Sequence, residues 1–435
     1  MNIFKKHFLN NSELSKKDYT RDRAIFIIDF SVEEFVGNIL GGSYLASLLA
    51  FFCINEAKSN FILSLSAAAG LAQIFAPRIF QNFTHKKPLI YICRFFSRMP
   101  MALVFLFSLF LKGMPNIAFI TSAVYFISLC LAYLLNPPYN TLFMNTISFG
   151  GGVGRYCGKK DAITNGVLII AFFMCALVTK NFNGNTKYMV YIIFGAVSLF
   201  LWIIQMGSLF FLKEMPMPEP EEKAKIFSGI IDCIRSKKFR PFFIYSIINS
   251  TAAYMLASLV SIFCVQRLHM SLEFLSYVTM ADLILRSVLC LLAGRLADKT
   301  GMRKLCIYGT VFVSTNYFIH IFMNSGNAMY LKCAAAFFSA LGYAFQVLSS
   351  YNYMFECLPK NKGTAFMASS NTISIAVGYA ASLFSTFVIS AANGFSLKIF
   401  GFVFSEMHLL ILFASIIMFS GALFLSRQKD KENLS

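Results

Sequence analysis

Long apolar stretches constrain the fold of this 435-residue chain more than any other feature of its sequence. Hydrophobic residues make up 57% of the chain and charged residues 13%, about half the charged share of an average soluble domain. A membrane-spanning helix needs about 20 predominantly apolar residues. The sequence contains twelve such stretches: 24–52, 59–80, 88–111, 117–147, 162–180, 187–212, 241–266, 273–294, 305–323, 328–356, 364–391 and 397–425. We therefore predict an all-α membrane protein with twelve transmembrane helices.

The positive charge of the chain is distributed unevenly between the predicted loops. The net charge is +18, and 28 of the 38 basic residues fall in the N-terminal tail, the even-numbered loops and the C-terminal tail. Seven fall in the odd-numbered loops. Basic residues accumulate on the cytoplasmic side of membrane proteins. We therefore expect a multi-pass protein of the cytoplasmic (plasma) membrane with both termini in the cytoplasm. The charge indicates topology in the lipid bilayer and excludes a nucleic-acid partner.

A long basic loop, 213–240, divides the twelve segments into two sets of six. Five apolar residues follow one another in this loop at helical spacing, among lysines and arginines: Ile226, Phe227, Ile230, Ile231 and Ile234. This pattern is typical of a short helix that lies at the membrane surface. The predicted domains are a cytoplasmic N-terminal tail (1–23), a six-helix bundle (24–212), a central cytoplasmic loop with an interfacial helix (213–240), a second six-helix bundle (241–425) and a cytoplasmic tail (426–435).

Short matches between the two halves indicate an internal repeat. Three pairs recur at nearly constant offsets: Leu-Ala-Ser-Leu at 45–48 and 256–259, Tyr-Asn at 139–140 and 351–352, and two basic residues at 86–87 and 303–304. Repeats that enclose a site near the middle of the bilayer are typical of secondary transporters. The sequence therefore predicts two pseudo-symmetric bundles and favours transport by alternating access.

The segment 294–304, which reads GRLADKTGMRK, places five charges between two long apolar stretches. It resembles the loop motif G-x-L-A-D-K-x-G-x-R-K of the major facilitator superfamily (MFS), and the resemblance extends over 24–425. It implies a secondary transporter that moves a small solute by rocking two six-helix bundles. The gating residues that it implies are Gly294, Arg295, Asp298, Lys299, Gly301, Arg303 and Lys304, with Glu356 as a partner.

Each part of this motif has an expected physical role in an eleven-residue turn at the cytoplasmic gate. Gly294 lets its helix approach a neighbour closely, and Gly301 supplies a positive φ. Asp298 is placed to accept hydrogen bonds from a helix N-terminus, where the dipole favours an anion. Arg303 is placed to reach Glu356. Contacts that exist in one gate state and not in the other bias the equilibrium between the two states.

Ionisable residues inside predicted transmembrane helices are costly and therefore need a reason. Seven are candidates for a coupling role: Asp29, Glu33, Glu34, Arg94, Arg98, Asp282 and Arg286. One hypothesis is that a carboxylate of the first helix binds a coupling proton, so that Glu34→Gln abolishes proton-driven accumulation. The alternative is a set of static ion pairs that fix helix packing. The sequence leaves both open.

The resemblance also implies which residues line the central cavity, because the first, fourth, seventh and tenth helices line it in this superfamily. The candidates are Asn38, Asn136, Tyr139, Asn140, Tyr245, Asn249, Tyr254, Gln346, Tyr351 and Asn352. These amides and phenols suit a neutral, hydroxylated or amphipathic solute. We also expect Pro137-Pro138 to break the fourth helix and free backbone carbonyls toward the cavity.

The sequence predicts no cofactor and no metal, and we expect a monomer. It has no ATP-binding motif, and its eleven cysteines form no CxxC pair. Two other classes of function are open. One is a sensor that keeps the fold without transporting. The other is a multispan membrane transferase, which requires a cluster of His, Asp or Glu at a helix end, whereas the five histidines are scattered: His7, His85, His269, His320 and His408.

Overall fold

A computed structural model of the chain describes residues 16–76, 79, 83, 85–148, 153–182, 186–213, 226–357, 363–392, 395–399 and 402–428. The described helices are, in chain order, α1 (Lys16–Ile39), α2 (Gly42–Phe51), α3 (Glu56–Gly70), α4 (Lys87–Leu106), α5 (Ser108–Leu111), α6 (Ile117–Ser148), α7 (Val153–Asn181), α8 (Tyr188–Phe210), α9 (Ile226–Arg235), α10 (Arg240–Ile262), α11 (Leu272–Thr300), α12 (Met302–His320), α13 (Ala328–Cys357), α14 (Gly363–Ala391) and α15 (Glu406–Ser426). A 3₁₀ turn (Leu71–Phe75) follows α3 and a π turn (Phe263–Arg267) follows α10.

Each of the twelve predicted segments contains helix, and the prediction of an all-α membrane protein is confirmed. In the described part of the chain, eight helices are long and apolar enough to cross a membrane by length and composition. The other four predicted segments correspond to α1 with α2, to α3, to α11 and to α12. They are shorter or carry more polar residues. The stretch 24–52, for example, contains three carboxylates and is interrupted between Ile39 and Gly42.

The expected break at Pro137-Pro138 is wrong, because α6 continues through both prolines to Ser148. A proline removes one i→i−4 hydrogen bond and clashes with the preceding turn, which bends a helix without necessarily ending it. In a membrane, neighbouring helices supply the packing that keeps the flanking turns helical.

The expected eleven-residue turn at 294–304 is also wrong. Helix α11 continues to Thr300 and α12 begins at Met302, so that Gly301 alone separates them. Gly301 has φ +84°, the left-handed conformation that glycine adopts without strain, and its predicted positive φ is confirmed. Arg, Leu, Ala and Lys are good helix formers, and they carry α11 to its end.

The last predicted segment, 397–425, begins with a β-hairpin. Strands β1 (Ser396–Ile399) and β2 (Phe402–Ser405) pair antiparallel, with Ser396 opposite Ser405. Alternating apolar residues and two aromatic residues favour strand over helix in this stretch. The Ser405 side chain forms a capping box with His408, which begins α15 at Glu406.

The amphipathic helix predicted in the central loop is present as α9. Ile231 and Ile234 are exposed, whereas Cys233 is buried and its thiol donates a hydrogen bond to the carbonyl of Phe366 at 3.6 Å. Burial and the nearby Asp232 carboxylate raise the pKa of the Cys233 thiol to about 11. One side of α9 therefore packs on α14 and another presents apolar side chains, as at a membrane surface.

The chain divides into two compact units. Unit 1 contains Met1–Ile54 and Ala68–Ala224, and unit 2 contains Asn55–Ala67 and Lys225–Ser435. In unit 1, α4 packs between α6 and α8, and α1 packs on α7 and α8. Gly195 of α8 lies directly against the backbone of Leu106, where a Cβ would collide. Small residues at such crossings let membrane helices approach closely.

In unit 2, the most extensive helix pair is α12 with α13, and α10 packs on α14 and α15. At the α12–α13 crossing, Gly309 of α12 lies against α13, and Gly342 of α13 lies against α12. A Cβ on Gly309 would lie 2.6 Å from the backbone nitrogen of Gln346, and one on Gly342 would lie 2.7 Å from that of Val313. This pair of glycines sets the separation of the two helices.

The first residues of α3 also belong to unit 2, and hydrogen bonds hold them there. Arg267, at the end of the π turn, pairs with Glu56 at 2.8 Å and with Glu406 at 2.6 Å. The Asn60 amide donates to the Ser385 hydroxyl at 3.1 Å. Arg267 therefore joins the N-terminal turns of α3 and α15.

Candidate functional site

Four of the intramembrane charges predicted from the sequence come together in unit 1. Asp29 and Glu33 lie one turn apart on α1, and Arg94 and Arg98 lie one turn apart on α4. Arg94 pairs with Asp29 at 2.9 Å and with Glu33 at 2.9 Å, and Arg98 pairs with Glu33 at 2.6 Å. Two carboxylates and two guanidinium groups balance one another, so that this ion-pair network carries no net charge.

The network is buried within the unit. Asp29 is fully buried and Arg94 is 4% exposed. Gln205 of α8 donates one hydrogen bond to Asp29 at 2.8 Å and another to Glu33 at 3.5 Å. The Arg94 guanidinium lies 5.2 Å from the centre of the Tyr139 ring. Burial away from water is tolerable for these charges because each finds an oppositely charged or hydrogen-bonding partner.

The two carboxylates differ in access. The Asp29 side chain is 0% exposed, whereas that of Glu33 is 18% exposed and bridges both arginines. Gly37 lies one turn after Glu33, and a Cβ there would lie 3.1 Å from Arg98. The glycine therefore leaves room for the Arg98 guanidinium. Of the two network carboxylates, Glu33 is the more accessible to a proton or a solute.

Glu34 and Asn38 are the neighbouring polar residues of α1. Both are exposed, and the Asn38 amide donates to the backbone carbonyl of Glu34 at 2.8 Å. The hypothesis drawn from the sequence made Glu34→Gln the change that abolishes proton-driven accumulation, whereas Glu33 is the residue whose contacts with Arg94 and Arg98 the structure describes.

A second polar cluster lies in unit 2 and contains three of the predicted cavity-lining residues. The Gln346 amide of α13 donates to the Tyr245 hydroxyl at 3.2 Å and to the Asn249 side-chain oxygen at 3.0 Å, both on α10. Tyr245 also shares a hydrogen bond with Thr310 of α12 at 2.7 Å. This cluster, Tyr245–Asn249–Thr310–Gln346, is rich in hydrogen-bonding groups and contains no charge.

The two clusters occupy equivalent positions of the two halves. Asp29 and Arg94 are 65 residues apart in the sequence, and so are Tyr245 and Thr310. Tyr245 follows Asp29 by 216 positions, and Thr310 follows Arg94 by the same number. Asn249 likewise stands 216 positions after Glu33. The repeat has therefore kept a polar cross-link between corresponding helices, charged in unit 1 and uncharged in unit 2.

Other predicted cavity-lining residues have different surroundings. Tyr139 is buried among aromatic side chains, with its ring centre 5.6 Å from that of Phe26. Tyr254 is half-buried and packs against Gly378. Asn136 is exposed. The side chains of Asn140, Tyr351 and Asn352 lie outside the described part of the structure.

The gating residues are described in part. The side chains of Arg295, Asp298 and Lys299 and the surroundings of Gly294 lie outside the described part of the structure. The Arg303 guanidinium donates to the carbonyl of Leu425 at 2.7 Å and to that of Gln428, at the C-terminal end of α15. Lys304 and Glu356 are exposed.

Lys87 makes the equivalent contact in unit 1. Its ammonium donates to the carbonyl of Phe210 at 2.9 Å and to that of Leu212, at the C-terminal end of α8. Lys87 precedes Arg303 by 216 positions. In each unit, a basic residue at the start of one helix therefore satisfies the last carbonyls of another, where the helix dipole favours a cation.

The sequence did not single out Gln205 or Thr310, although both bind predicted site residues. A lone glutamine in the highly apolar α8 was the available signal, because a buried amide needs partners.

The remaining predicted charges, Asp282 and Arg286, pair within α11 at 2.5 Å. Among the described residues, no group of three or more His, Cys, Asp or Glu side chains is arranged to hold a metal ion.

Apolar helices of membrane-spanning length, together with balanced charges buried between them, define a polytopic membrane protein. The family model described as "Major Facilitator Superfamily" matches residues 153–382, which is more than half of the chain. The protein belongs to this superfamily, and the resemblance seen in the sequence is confirmed.

Solved structures with the same fold are transporters. A mutant of the nucleoside transporter NupG has a TM-score of 0.68 at 13% identity and covers 95% of this chain and 100% of its own. Unmutated NupG has a TM-score of 0.61 at 13% identity over the same shares. A bacterial homologue of the iron transporter ferroportin in its inward-facing state has a TM-score of 0.64 at 7% identity, covering 94% and 100%. No curated protein matches the chain. At these identities the likeness concerns the fold.

Proposed function

We propose that the protein is a secondary active transporter that moves a small solute across the cytoplasmic membrane by alternating access and is coupled to protons at Glu33. The observation that carries the proposal is the buried network of Asp29, Glu33, Arg94 and Arg98. Charges within a membrane protein commonly mark ion and proton pathways. Membership of a superfamily of transporters supports the same function.

Protonation of Glu33 would change how α1 packs on α4. The ionised carboxylate attracts Arg94 and Arg98 together, with oxygen–nitrogen distances of 2.9 and 2.6 Å. A proton on Glu33 removes this charge and leaves the two guanidinium groups with Asp29 as their one carboxylate partner in the network. A ligand shifts a conformational equilibrium by its differential affinity for the two states. A proton that binds more tightly in one state therefore drives the transporter toward that state.

The uncharged cluster of unit 2 is the proposed contact for the solute. Tyr245, Asn249 and Gln346 present hydroxyl and amide groups, which suit a neutral, hydroxylated solute. The nucleoside transporter with the same fold makes nucleosides the first class to examine. Charge in one unit and neutral hydrogen-bonding groups at equivalent positions of the other favour separate sites for coupling and for the solute. We expect a monomer with both termini in the cytoplasm.

Solute-driven proton movement in proteoliposomes tests the proposal. The purified protein is reconstituted into vesicles that contain the pH-sensitive dye pyranine, and uridine, adenosine, hexoses and polyols are added in turn. We expect at least one of these solutes to change the internal pH. Glu33→Gln should abolish that change, while exchange of the same radiolabelled solute between the two sides of the membrane persists.

Glu34→Gln is the matched control, because it makes the same chemical change at the neighbouring, exposed position. We expect it to retain both proton movement and exchange. If Glu33→Gln keeps solute-driven proton movement at the rate of the unaltered protein, the coupling site is elsewhere and the network has a structural role.

A further inference from the structure

A polar cavity lies inside unit 2, away from the residues assigned above to coupling and to the solute. It has a volume of about 250 Å³ and is bounded by α10, α11, α12 and α13. This is below the range of about 300–1,000 Å³ that drug-sized ligands occupy, so an occupant must be smaller. Its polar lining includes Ser261, Thr279, Asp282, His320, Lys332 and Ser339.

One end of this cavity carries a positive charge. The Lys332 ammonium donates a hydrogen bond to Nε2 of His320 at 3.1 Å, and Nδ1 of His320 donates to the carbonyl of Asn316 at 2.8 Å. His320 is 1% exposed and has both nitrogens engaged, which makes it the neutral tautomer with its proton on Nδ1. Among the described residues, Lys332 forms no ion pair with a carboxylate. The ammonium also lies beside the Cys264 thiol, and its charge is left for an anionic group to balance.

The same cavity is lined by a buried carboxylate, and one of its oxygens is bonded to an arginine. Asp282 is 8% exposed, and its Oδ2 accepts a hydrogen bond from Arg286 at 2.5 Å. Its Oδ1 is shielded from solvent and accepts no hydrogen bond of normal geometry among the described residues, although the Ser339 hydroxyl lies near the carboxylate. A buried acceptor without a partner costs free energy, and such atoms are rare in folded proteins. A ligand with a donor at this position removes that cost.

A second, apolar cavity adjoins the first at Asp282. Its volume is about 290 Å³, and it shares Val278, Asp282 and Ala336 with the polar cavity. Phe274 and Phe337 also line it. A molecule held at Asp282 therefore lies next to both the apolar cavity and the cavity that Lys332 lines.

We propose that these two cavities form a binding site for an apolar α-amino acid. The ligand ammonium donates to Oδ1 of Asp282, its carboxylate accepts from Lys332, and its side chain occupies the apolar cavity. This site goes beyond the proposed function, because it lies within one unit and does not involve Glu33. Charge-assisted hydrogen bonds at both ends give specificity for a zwitterion, since loss of either ligand charge leaves one buried group unmatched.

Calorimetric titration of the full-length protein in phosphatidylcholine nanodiscs tests the site with three probes. These are leucine, leucinamide, which lacks the carboxylate, and N-acetyl-leucine, which lacks the ammonium. We expect leucine to bind about 10-fold or more tightly than either analogue. Nanodiscs that contain phosphatidylethanolamine, whose headgroup has the same two charges, distinguish a lipid occupant. Weaker leucine binding there shows that the headgroup competes for the same site.

Variants assign each end of the ligand. Lys332→Gln should weaken leucine about 10-fold while leaving leucinamide unchanged, and Asp282→Asn should weaken leucine while leaving N-acetyl-leucine unchanged. Glu33→Gln, which lies in unit 1 and lines neither cavity, should bind leucine like the unaltered protein. If Asp282→Asn does not fold, Lys332→Gln still decides the outcome. Absence of saturable leucine binding, or equal affinity for the three probes, overturns the proposal whatever the result of the proton assay.

Discussion

Asp29 of unit 1 is fully buried, and its partner Arg94 is nearly so. Removal of one member of a buried ion pair is more costly than removal of both, because it leaves an uncompensated charge in a region of low polarity. We therefore expect Asp29→Asn to lower the free energy of unfolding by about 3–5 kcal/mol. Thermal unfolding of the purified protein in detergent measures the loss.

The double variant Asp29→Asn/Arg94→Gln is the decisive comparison for that prediction. It removes one charge of each sign and leaves Glu33 paired with Arg98. We expect it to unfold at a higher temperature than Asp29→Asn alone. Equal destabilisation by the single and double variants would show that hydrogen bonding or packing, and not charge balance, dominates at this position.

The sequence predicted part of the unit 1 network. The i,i+4 spacing of Asp29 with Glu33 and of Arg94 with Arg98 places each pair on one helix face. The choice between Glu33 and Glu34 required the structure, because adjacent residues point about 100° apart around a helix and the sequence does not show which face meets α4. Gln205 contacts the network from 172 residues beyond Glu33 in the chain, a separation that helical periodicity does not relate.

At the scale of the helices, the facing glycines of α12 and α13 set a contact that a methyl group disrupts. A Cβ on Gly309 would lie 2.6 Å from a backbone atom of α13, which a side-chain rotation does not relieve. We expect Gly309→Ala to destabilise the protein by about 1–3 kcal/mol through overpacking. Thermal unfolding in detergent checks this value.

Gly207→Ala is the control for that substitution. Gly207 lies within α8, and a Cβ there meets no atom within 4 Å. Alanine favours helix over glycine by about 1 kcal/mol, so Gly207→Ala should leave stability unchanged or raise it. A Gly309→Ala protein as stable as the unaltered one would mean that α12 and α13 separate readily at this crossing.

The sequence predicted the helices of this fold more reliably than their ends. Apolar stretches of membrane-spanning length located all twelve segments, because hydropathy reports burial in lipid directly. The turn predicted at 294–304 is wrong, because charged residues do not by themselves indicate a loop. Charge indicates contact with water, and a helix that emerges from the bilayer satisfies that condition as well as a turn does. Only Gly301, with its positive φ, interrupts the helix there.

At the scale of the whole molecule, the two halves share the positions of their polar contacts more closely than their sequences suggest. Lys87 and Arg303 each cap the last helix of their own unit and stand 216 positions apart, as do Asp29 and Tyr245. The short sequence matches gave offsets of 211 to 217, so the repeat itself was predicted. The sequence did not predict that the charged pair Asp29–Arg94 of unit 1 corresponds to the neutral pair Tyr245–Thr310 of unit 2. Both partners differ between the halves, so no sequence match marks the contact, although the contact itself is present in each unit.

The C-terminal end of α11, next to Gly301, is the place where we expect a substitution to affect turnover without affecting folding. Asp298 is an acidic residue within a basic segment, where topology requires no negative charge. A charge-assisted hydrogen bond made by Asp298 in one gate state contributes about 1.5–3 kcal/mol to that state. Asp298→Asn should therefore shift the balance of states about 10-fold or more and slow solute exchange in proteoliposomes, with normal yield and thermal stability. Lys237→Gln, which removes an exposed charge outside this motif, should exchange solute at the unaltered rate. If Asp298→Asn exchanges solute at the unaltered rate, the Asp298 carboxylate makes no contact that stabilises one gate state over the other.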